Sequence, residues 1–222
     1  MFPLYDTARS HRFPLVNLTL IAANALAFLY ELGMGPAALE GFISTWGLIP
    51  ARLMSNPNNT WNTIYSSMFL HGGWFHILNN MWVLFIFGDN VEARMGGMKY
   101  LVFYLLSGTA AGLLQTYILP SSQAPMIGAS GAVAGVLGAY LVLFPRSRVA
   151  SLVPIFFIFT IVEIPAFIYL FFWFVSQLYS GLFAIQGGSE SGIAWWAHIG
   201  GFVFGFFMSF VFANRQPRYR SY

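Results

Sequence analysis

The residues that could carry chemistry are a serine, two histidines and an asparagine in strongly apolar surroundings. Ser130 stands in the run Gly-Ala-Ser-Gly and His198 in the run Ala-His-Ile-Gly-Gly, while His76 and Asn80 are four residues apart. A serine hydroxyl becomes a good nucleophile when an adjacent base takes its proton, and a histidine imidazole can serve as that base. These residue types therefore predict acyl transfer, with Ser130 as nucleophile and His198 as base.

Donors for an oxyanion are predicted beside this pair. Acyl transfer needs hydrogen-bond donors aimed at the charge that develops on the carbonyl oxygen. The backbone N–H of Ser130 has no partner inside a helix that starts at this residue. The side chains of His76 and Asn80, at i and i+4 on one helical face, supply two more donors. The spacing therefore predicts an oxyanion site formed by these three residues.

Carboxylates are placed elsewhere. Asp89 and Glu92 fall at the far end of the helix that begins near His76. No carboxylate is therefore expected beside Ser130, and the sequence predicts a Ser–His dyad without a third member. What orients His198 stays open. The chain has no cysteine, which rules out a thiol nucleophile.

Each of these residues also has a structural interpretation. Ser130 lies among small residues that favour close helix packing, and His198 or Asn80 could join two helices by hydrogen bonds. His71 is expected to close the junction between a loop and a helix. The histidines at 71, 76 and 198 could together bind a metal. No carboxylate supports such a site, and we expect neither a metal nor a cofactor.

The composition is that of an integral membrane protein. Of the 222 residues, 58% are hydrophobic and 8% are charged, against about 25% charged residues in soluble domains. Long apolar stretches predict about six spanning helices of roughly 20 residues each. We expect an all-α membrane fold, a single bundle over residues 1–222 with no separate soluble domain. The predicted helices cover residues 13–32, 75–93, 98–119, 130–145, 162–184 and 193–213.

Basic residues indicate the orientation of this bundle. With about six helices, most of the ten Lys and Arg residues fall on one side and only Arg52 falls on the other. Cytoplasmic loops carry an excess of Lys and Arg, so both termini are expected in the cytoplasm. The basic residues form no patch for nucleic acid, and the lipid bilayer is the expected partner. The cytoplasmic set is Arg9, Arg12, Arg94, Lys99, Arg146, Arg148, Arg215, Arg218 and Arg220.

The fourth predicted helix is short. From Ser130 to Phe144 it would be about 22 Å long, whereas the hydrocarbon core of a bilayer is about 30 Å thick. If Pro145 marks the cytoplasmic end, the N-terminus of this helix stops below the outer surface. Irregular backbone at that depth is tolerated only against protein or a water-filled cavity. The sequence therefore predicts a hollow open to the outside, with Ser130 at its floor.

Three connections between the helices have distinct compositions. Residues 33–73 predict an outer interfacial loop with short helices. Residues 148–162 are apolar and predict a connection along the membrane, after which the fifth helix starts near Glu163-Ile-Pro165. Residues 186–192 predict a small outer loop rich in glycine and serine.

These motifs together resemble the rhomboid intramembrane serine proteases. The resemblance extends to Glu92-Ala-Arg94 and to the six-helix layout, so it covers most of the chain. It implies that Ser130 and His198 form the dyad, and that His76, Asn80 and Gly128 belong to the oxyanion and substrate-binding site. The matching runs are His71-Gly-Gly-Trp-Phe-His76-Ile-Leu-Asn-Asn80-Met, Gly128-Ala-Ser130-Gly131 and Ala197-His198-Ile-Gly-Gly.

The resemblance also implies a substrate class and two moving parts. Rhomboid substrates are single-pass membrane proteins cut near the outer face. The loop 186–192 would be a cap over the site, and the fifth helix a lateral gate. The sequence departs from the family in two places. Many members have Trp-Arg where this chain has Trp61-Asn62, and some carry a tyrosine that stacks on the histidine where this chain has Ala134.

Two other functions remain as alternatives. A catalytically silent relative would bind or escort membrane proteins, but such relatives usually lack the serine or the histidine. A small transporter would show inverted repeats or charged residues near the midplane, and the sequence shows neither. We therefore expect a multi-pass endopeptidase of a prokaryotic inner (plasma) membrane.

Overall fold

The computed structural model describes residues 2–8, 10, 12–155, 158–187 and 193–214. The described chain is mostly helical, with six longer helices and several short ones in the loop after the first. The predicted boundaries of the longer helices agree with the structure to within a few residues. The longer helices are α1 (Leu15–Leu32), α6 (Trp74–Met95), α7 (Gly97–Ile118), α8 (Ser130–Leu143), α9 (Ala166–Gly187) and α10 (Trp195–Phe212).

Four of these helices are long and apolar enough to cross a membrane, namely α1, α7, α9 and α10. Helix α6 is 22 residues long and carries charged side chains towards its C-terminal end. Helix α8 is apolar but has only 14 residues. The length and composition of these helices are those of a membrane protein. Helix α8 is as short as the sequence predicts.

Helix α8 forms the centre of the bundle. Every residue from Gly131 to Tyr140 is buried, and α6, α7 and α10 all pack against this helix. A helix that is apolar on all sides is expected to be enclosed by others. Ser130 is the first residue of α8, so the candidate nucleophile is attached to the most enclosed helix of the fold.

A small antiparallel sheet corrects the prediction of an all-α fold. Strands β2 (Arg148–Ile155) and β3 (Ile158–Pro165) pair over their whole length, and β1 (Phe2–Asp6) pairs with β2. The predicted connection along the membrane is therefore a β-hairpin, and α9 begins at Ala166 instead of residue 162. The hairpin is rich in β-branched residues, which favour strands. That signal was present in the sequence, but the partner strand lies about 150 positions away in the chain.

The loop before α6 contains short helices, as predicted. Arg52 holds part of this loop together, because its guanidinium donates to the backbone oxygens of Ser44 (2.5 Å) and Gly47 (3.0 Å). Trp61 is instead exposed and packs edge-on against Tyr65. The short helices are α2 (Pro36–Trp46), α3 (Pro50–Ser55), α4 (Pro57–Thr60) and α5 (Thr63–Ser66), followed by one 3₁₀ turn (Ser67–Phe69).

Charged residues near the C-terminal end of α6 cap two other helices. The Glu92 carboxylate accepts hydrogen bonds from the backbone N–H groups of Val16 (3.1 Å) and Asn17 (2.7 Å), in the first turn of α1. Acceptors at a helix N-terminus satisfy N–H groups that the helix leaves unpaired. Arg94 donates to the backbone oxygen of Leu143, the last residue of α8. Glu92 and Arg94 thus hold α1 and α8 to α6.

Candidate active site

The chain before α8 is held by the loop that precedes α6. Met126 pairs with Leu48 through two backbone hydrogen bonds of 2.7 and 3.1 Å, and the N–H of Gly128 donates to the Ser67 oxygen at 2.8 Å. Gly128 has a φ of +115°, a conformation that side chains other than glycine rarely adopt. The turn at Gly128 lets the helix start at Ser130, so the loop before α6 positions the candidate nucleophile.

Helix α10 brings His198 to this serine. The backbones of α8 and α10 are in contact at glycine residues. A Cβ on Gly201 would lie 1.9 Å from the Gly131 oxygen, and one on Gly205 would lie 1.9 Å from the Gly135 oxygen. Facing small residues allow such an approach. As a result, Nε2 of His198 lies 2.9 Å from Oγ of Ser130, within hydrogen-bond distance.

The other ring nitrogen of His198 has a partner that the sequence did not predict. Nδ1 lies 2.8 Å from Oε1 of Gln177 on α9. The ring also lies 6.1 Å from the rings of Trp173 and Trp195, centroid to centroid. These three side chains surround the histidine ring. One signal was available, since a polar residue such as Gln177 inside a spanning helix usually serves function.

His76 and Asn80 converge on Gly128 from α6. A Cβ placed on Gly128 would lie 2.5 Å from Nε2 of His76 and 3.7 Å from Nδ2 of Asn80. Asn80 is buried, and its Nδ2 has no hydrogen-bond partner among the described residues. An unpaired buried donor costs free energy unless something binds it. The Gly128 N–H already donates to Ser67, so Gly128 contributes space at this place instead of a donor.

A cavity of about 600 Å³ joins these groups. Ser130, His198, His76 and Asn80 all line it, together with Gln177. The remaining lining is mainly apolar and aromatic, and the described residues around the cavity include no carboxylate and no Lys or Arg. A mostly apolar cleft with a few convergent polar groups is the usual form of a substrate site.

His71 lies next to the site with a different set of contacts. Its backbone N–H donates to the Glu31 carboxylate at 3.1 Å, and its ring packs edge-on against that of His76 at 5.0 Å. Burial lowers the pKa of His71 to about 4, so the ring is neutral near pH 7. These contacts fit the predicted role of closing the junction between the loop and α6.

No group of three or more metal-ligating side chains is found among the described residues. The Ser130–His198 contact is suited to proton transfer. A neutral imidazole whose Nε2 faces a serine hydroxyl can take its proton as the oxygen attacks a carbonyl. The first N–H groups of α8 have no partner within the helix, and His76 and Asn80 on α6 line the same cavity as Ser130. The predicted cap, residues 186–192, lies largely outside the described residues.

The chain matches known proteins over most of its length. The model of the Rhomboid domain matches residues 58–215. RHOMBOID-like protein 4 of Arabidopsis thaliana is 31% identical over 84% of this chain and 42% of its own length. The mitochondrial presenilin-associated rhomboid-like protein of Mus musculus is 27% identical over 89% of this chain and 50% of its own length.

A bacterial relative is named as a protease. The putative rhomboid protease YdcA of Bacillus subtilis is 32% identical over 42% of this chain and 48% of its own length. The chain thus spans half or less of the length of these three relatives. One relative is from a plant, one is a mitochondrial protein of the mouse and one is bacterial. They therefore give no support to the predicted location in a prokaryotic inner membrane.

Proposed function

The chain belongs to the rhomboid family, and on that premise we propose that it is an intramembrane serine endopeptidase. Its substrates are single-pass membrane proteins, cut in their transmembrane segments near the outer face. The observation that carries the proposal is the 2.9 Å contact between Ser130 Oγ and His198 Nε2. Both residues line the cavity of about 600 Å³.

In the proposed reaction Ser130 is the nucleophile, and His198 acts in turn as base, acid and base. Ser130 Oγ attacks the scissile carbonyl while His198 Nε2 takes the hydroxyl proton. The first-turn N–H groups of α8, together with His76 and Asn80, stabilise the oxyanion. His198 then gives its proton to the leaving amine as the peptide C–N bond breaks. A water molecule attacks the acyl-enzyme while His198 takes its proton, and His198 returns that proton to Ser130 Oγ as the acyl bond breaks.

We further propose that all six longer helices cross the membrane and that both termini are cytoplasmic. The short α8 then leaves Ser130 below the outer surface, in contact with water through the cavity. The chain has no cysteine, so single cysteines can test this orientation. A membrane-impermeant maleimide should label Ser55→Cys in intact cells or spheroplasts, and should label Met98→Cys only after the membrane is opened. Labelling of both residues in intact membranes would contradict the topology.

Cleavage of a single-pass substrate in liposomes tests the activity. The wild-type protein should cut the substrate, and Ser130→Ala and His198→Ala should each abolish cutting. Ser209→Ala is a matched control, because Ser209 is a buried serine on α10 that bonds to the Phe206 oxygen. It lies three turns beyond His198 and should keep full activity. Undiminished cutting by Ser130→Ala would contradict the proposal.

A substrate-independent test uses a fluorophosphonate probe, which reacts with activated serines. The probe should label the wild-type protein at Ser130, and His198→Ala should prevent labelling. A protein that takes no label and cuts no substrate, yet binds single-pass proteins, would instead be a catalytically silent relative.

A further inference from the structure

Gln177 is the one residue of α9 whose side chain bonds to the candidate dyad in the described part of the chain. Its side chain is buried, with 7% exposed. It crosses from α9 to α10, where Oε1 meets Nδ1 of His198 at 2.8 Å. The amide nitrogen stays on α9, 2.9 Å from Ser176 Oγ and 3.3 Å from the Trp173 oxygen. Gln177, the partner of His198 on a separate helix, is thus itself held by two hydrogen bonds.

Those two contacts determine which way the amide faces. The Ser176 hydroxyl donates its only proton to the Trp173 oxygen at 2.6 Å. Ser176 Oγ can therefore only accept from Gln177, and the Trp173 oxygen is an acceptor as well. A flipped amide would set its oxygen against the Trp173 carbonyl oxygen, and Ser176 would have to give up its own bond to that carbonyl before it could donate to Gln177. The contacts on α9 therefore favour the orientation in which the nitrogen of Gln177 faces α9 and the oxygen faces His198.

The amide oxygen in turn selects the tautomer of His198. A carbonyl oxygen has no proton to give, so Nδ1 of the imidazole must carry one to make this bond. In the neutral ring the lone pair then lies on Nε2, which faces Ser130 at 2.9 Å. The opposite tautomer would present an N–H to the serine and could not take its proton. Trp173 and Trp195 restrict the plane of the ring, but they do not distinguish the two tautomers.

We propose that Gln177 is a positioning residue that keeps His198 in the tautomer able to deprotonate Ser130. The inference rests on the proposed function for its role in catalysis, while its structural content concerns His198 alone. A neutral amide on α9 thus does the orienting that a carboxylate performs in a Ser–His–Asp triad.

Nitrogen-15 NMR of histidine-labelled protein in detergent tests the tautomer without any substrate. The chain has four histidines, and His198→Gln assigns the signal of interest. Near neutral pH, Nδ1 of His198 should carry the proton in the wild type. In Gln177→Met, which keeps the length of the side chain but removes the acceptor, the Nε2–H form should appear. A wild-type ring protonated at Nε2, or a signal unchanged in Gln177→Met, would overturn the proposal.

Gln115→Met is the matched control. Gln115 is a second buried glutamine, and its Oε1 also accepts a hydrogen bond from α10, but from the backbone N–H of Ala197 at 3.1 Å. Its loss should lower the thermal stability and leave the His198 tautomer unchanged. An equal tautomer change in both variants would show that loosening α10 is enough, and would overturn the specific role of Gln177.

Kinetics separate this inference from the proposed function. Loss of one neutral hydrogen bond should lower kcat of Gln177→Met about tenfold, with little change in KM. Loss of substrate contacts would instead raise KM. If the wild type cuts substrate through Ser130 but Gln177→Met shows no change of the His198 tautomer, the inference is wrong and the proposed function stands. If His198 has the predicted tautomer and loses it in Gln177→Met, but the wild type cuts no substrate, the inference about His198 stands and the proposed function is wrong.

Discussion

The backbones of Gly201 and Gly131 are in contact. A Cβ added to Gly201 would lie only 1.9 Å from the Gly131 carbonyl oxygen and would clash with it. Gly131 follows Ser130 directly, and Gly201 lies one helical turn after His198. The contact between the two glycines therefore sets the distance between the two candidate catalytic side chains. Packing and chemistry depend here on the same pair of helix faces.

Gly201→Ala should consequently affect both stability and activity. The added methyl meets backbone, which cannot rotate away, so α8 and α10 must separate. We expect a loss of at least about 1–3 kcal/mol in the free energy of unfolding and a large loss of kcat, because Nε2 of His198 moves away from Ser130. Unfolding in detergent and substrate cleavage measure the two effects.

Gly41→Ala makes the same chemical change where there is room. Gly41 lies inside α2, is exposed, and has nothing within 4 Å of an added Cβ. Alanine should stabilise that helix by about 0.5–1 kcal/mol and leave cleavage unchanged. Equal effects of the two substitutions would contradict the importance of the α8–α10 contact.

Gly128→Ala should reduce activity through His76. Gly128 has a φ of +115°, and a Cβ there would lie 2.5 Å from Nε2 of His76. Gly96 offers a control with a similar backbone, since its φ is +84° but the nearest atom to an added Cβ, on Asn214, is 3.7 Å away. Both alanine variants should lose about 1–3 kcal/mol of stability through strain. Only Gly128→Ala should lose kcat, and matched losses would argue against the role of His76.

The sequence predicted that Ser130 and His198 lie together, and the 2.9 Å contact between their side chains was predictable because its determinants are local. The small residues beside Ser130 and His198 indicate that the two helices approach closely, and the length of α8 follows from the residues that bound it. Gln177 could not be paired with His198 in this way. Its contact depends on how α9 lies against α10, and no periodic pattern in the phenylalanine-rich α9 encodes that arrangement.

The sheet was missed for a related reason. Strand β1 pairs Phe2 with Leu152, and such a non-local pairing has no signature in either segment alone. The hairpin residues are apolar enough to resemble a membrane-embedded connection. Their β-branched character, from Val149 to Ile164, was the evidence for strands.

Asn80→Ala should slow turnover without unfolding the protein. Asn80 is 3% exposed, and its Nδ2 has no hydrogen-bond partner among the described residues. Its proposed partner is the oxyanion, and loss of one such donor lowers kcat by about 10²–10³-fold. Asn24→Ala is the control, because Asn24 is also a buried helix asparagine but bonds to the Leu20 oxygen on its own helix. A normal kcat in folded Asn80→Ala would remove Asn80 from the oxyanion site.

Asp6 should make the fold more stable as the pH falls. Its carboxylate accepts hydrogen bonds from Tyr140 and Asn90, but burial, helped by the nearby Asp89, raises the pKa of Asp6 from 3.8 to about 6. The folded protein therefore binds a proton more readily than the unfolded chain. Stability should rise between about pH 6 and pH 4, and Asp6→Asn should remove that part of the slope. Melting temperatures measured across this range test it, with exposed Glu40→Gln as the control. An unchanged slope in Asp6→Asn would show that other groups carry the pH dependence.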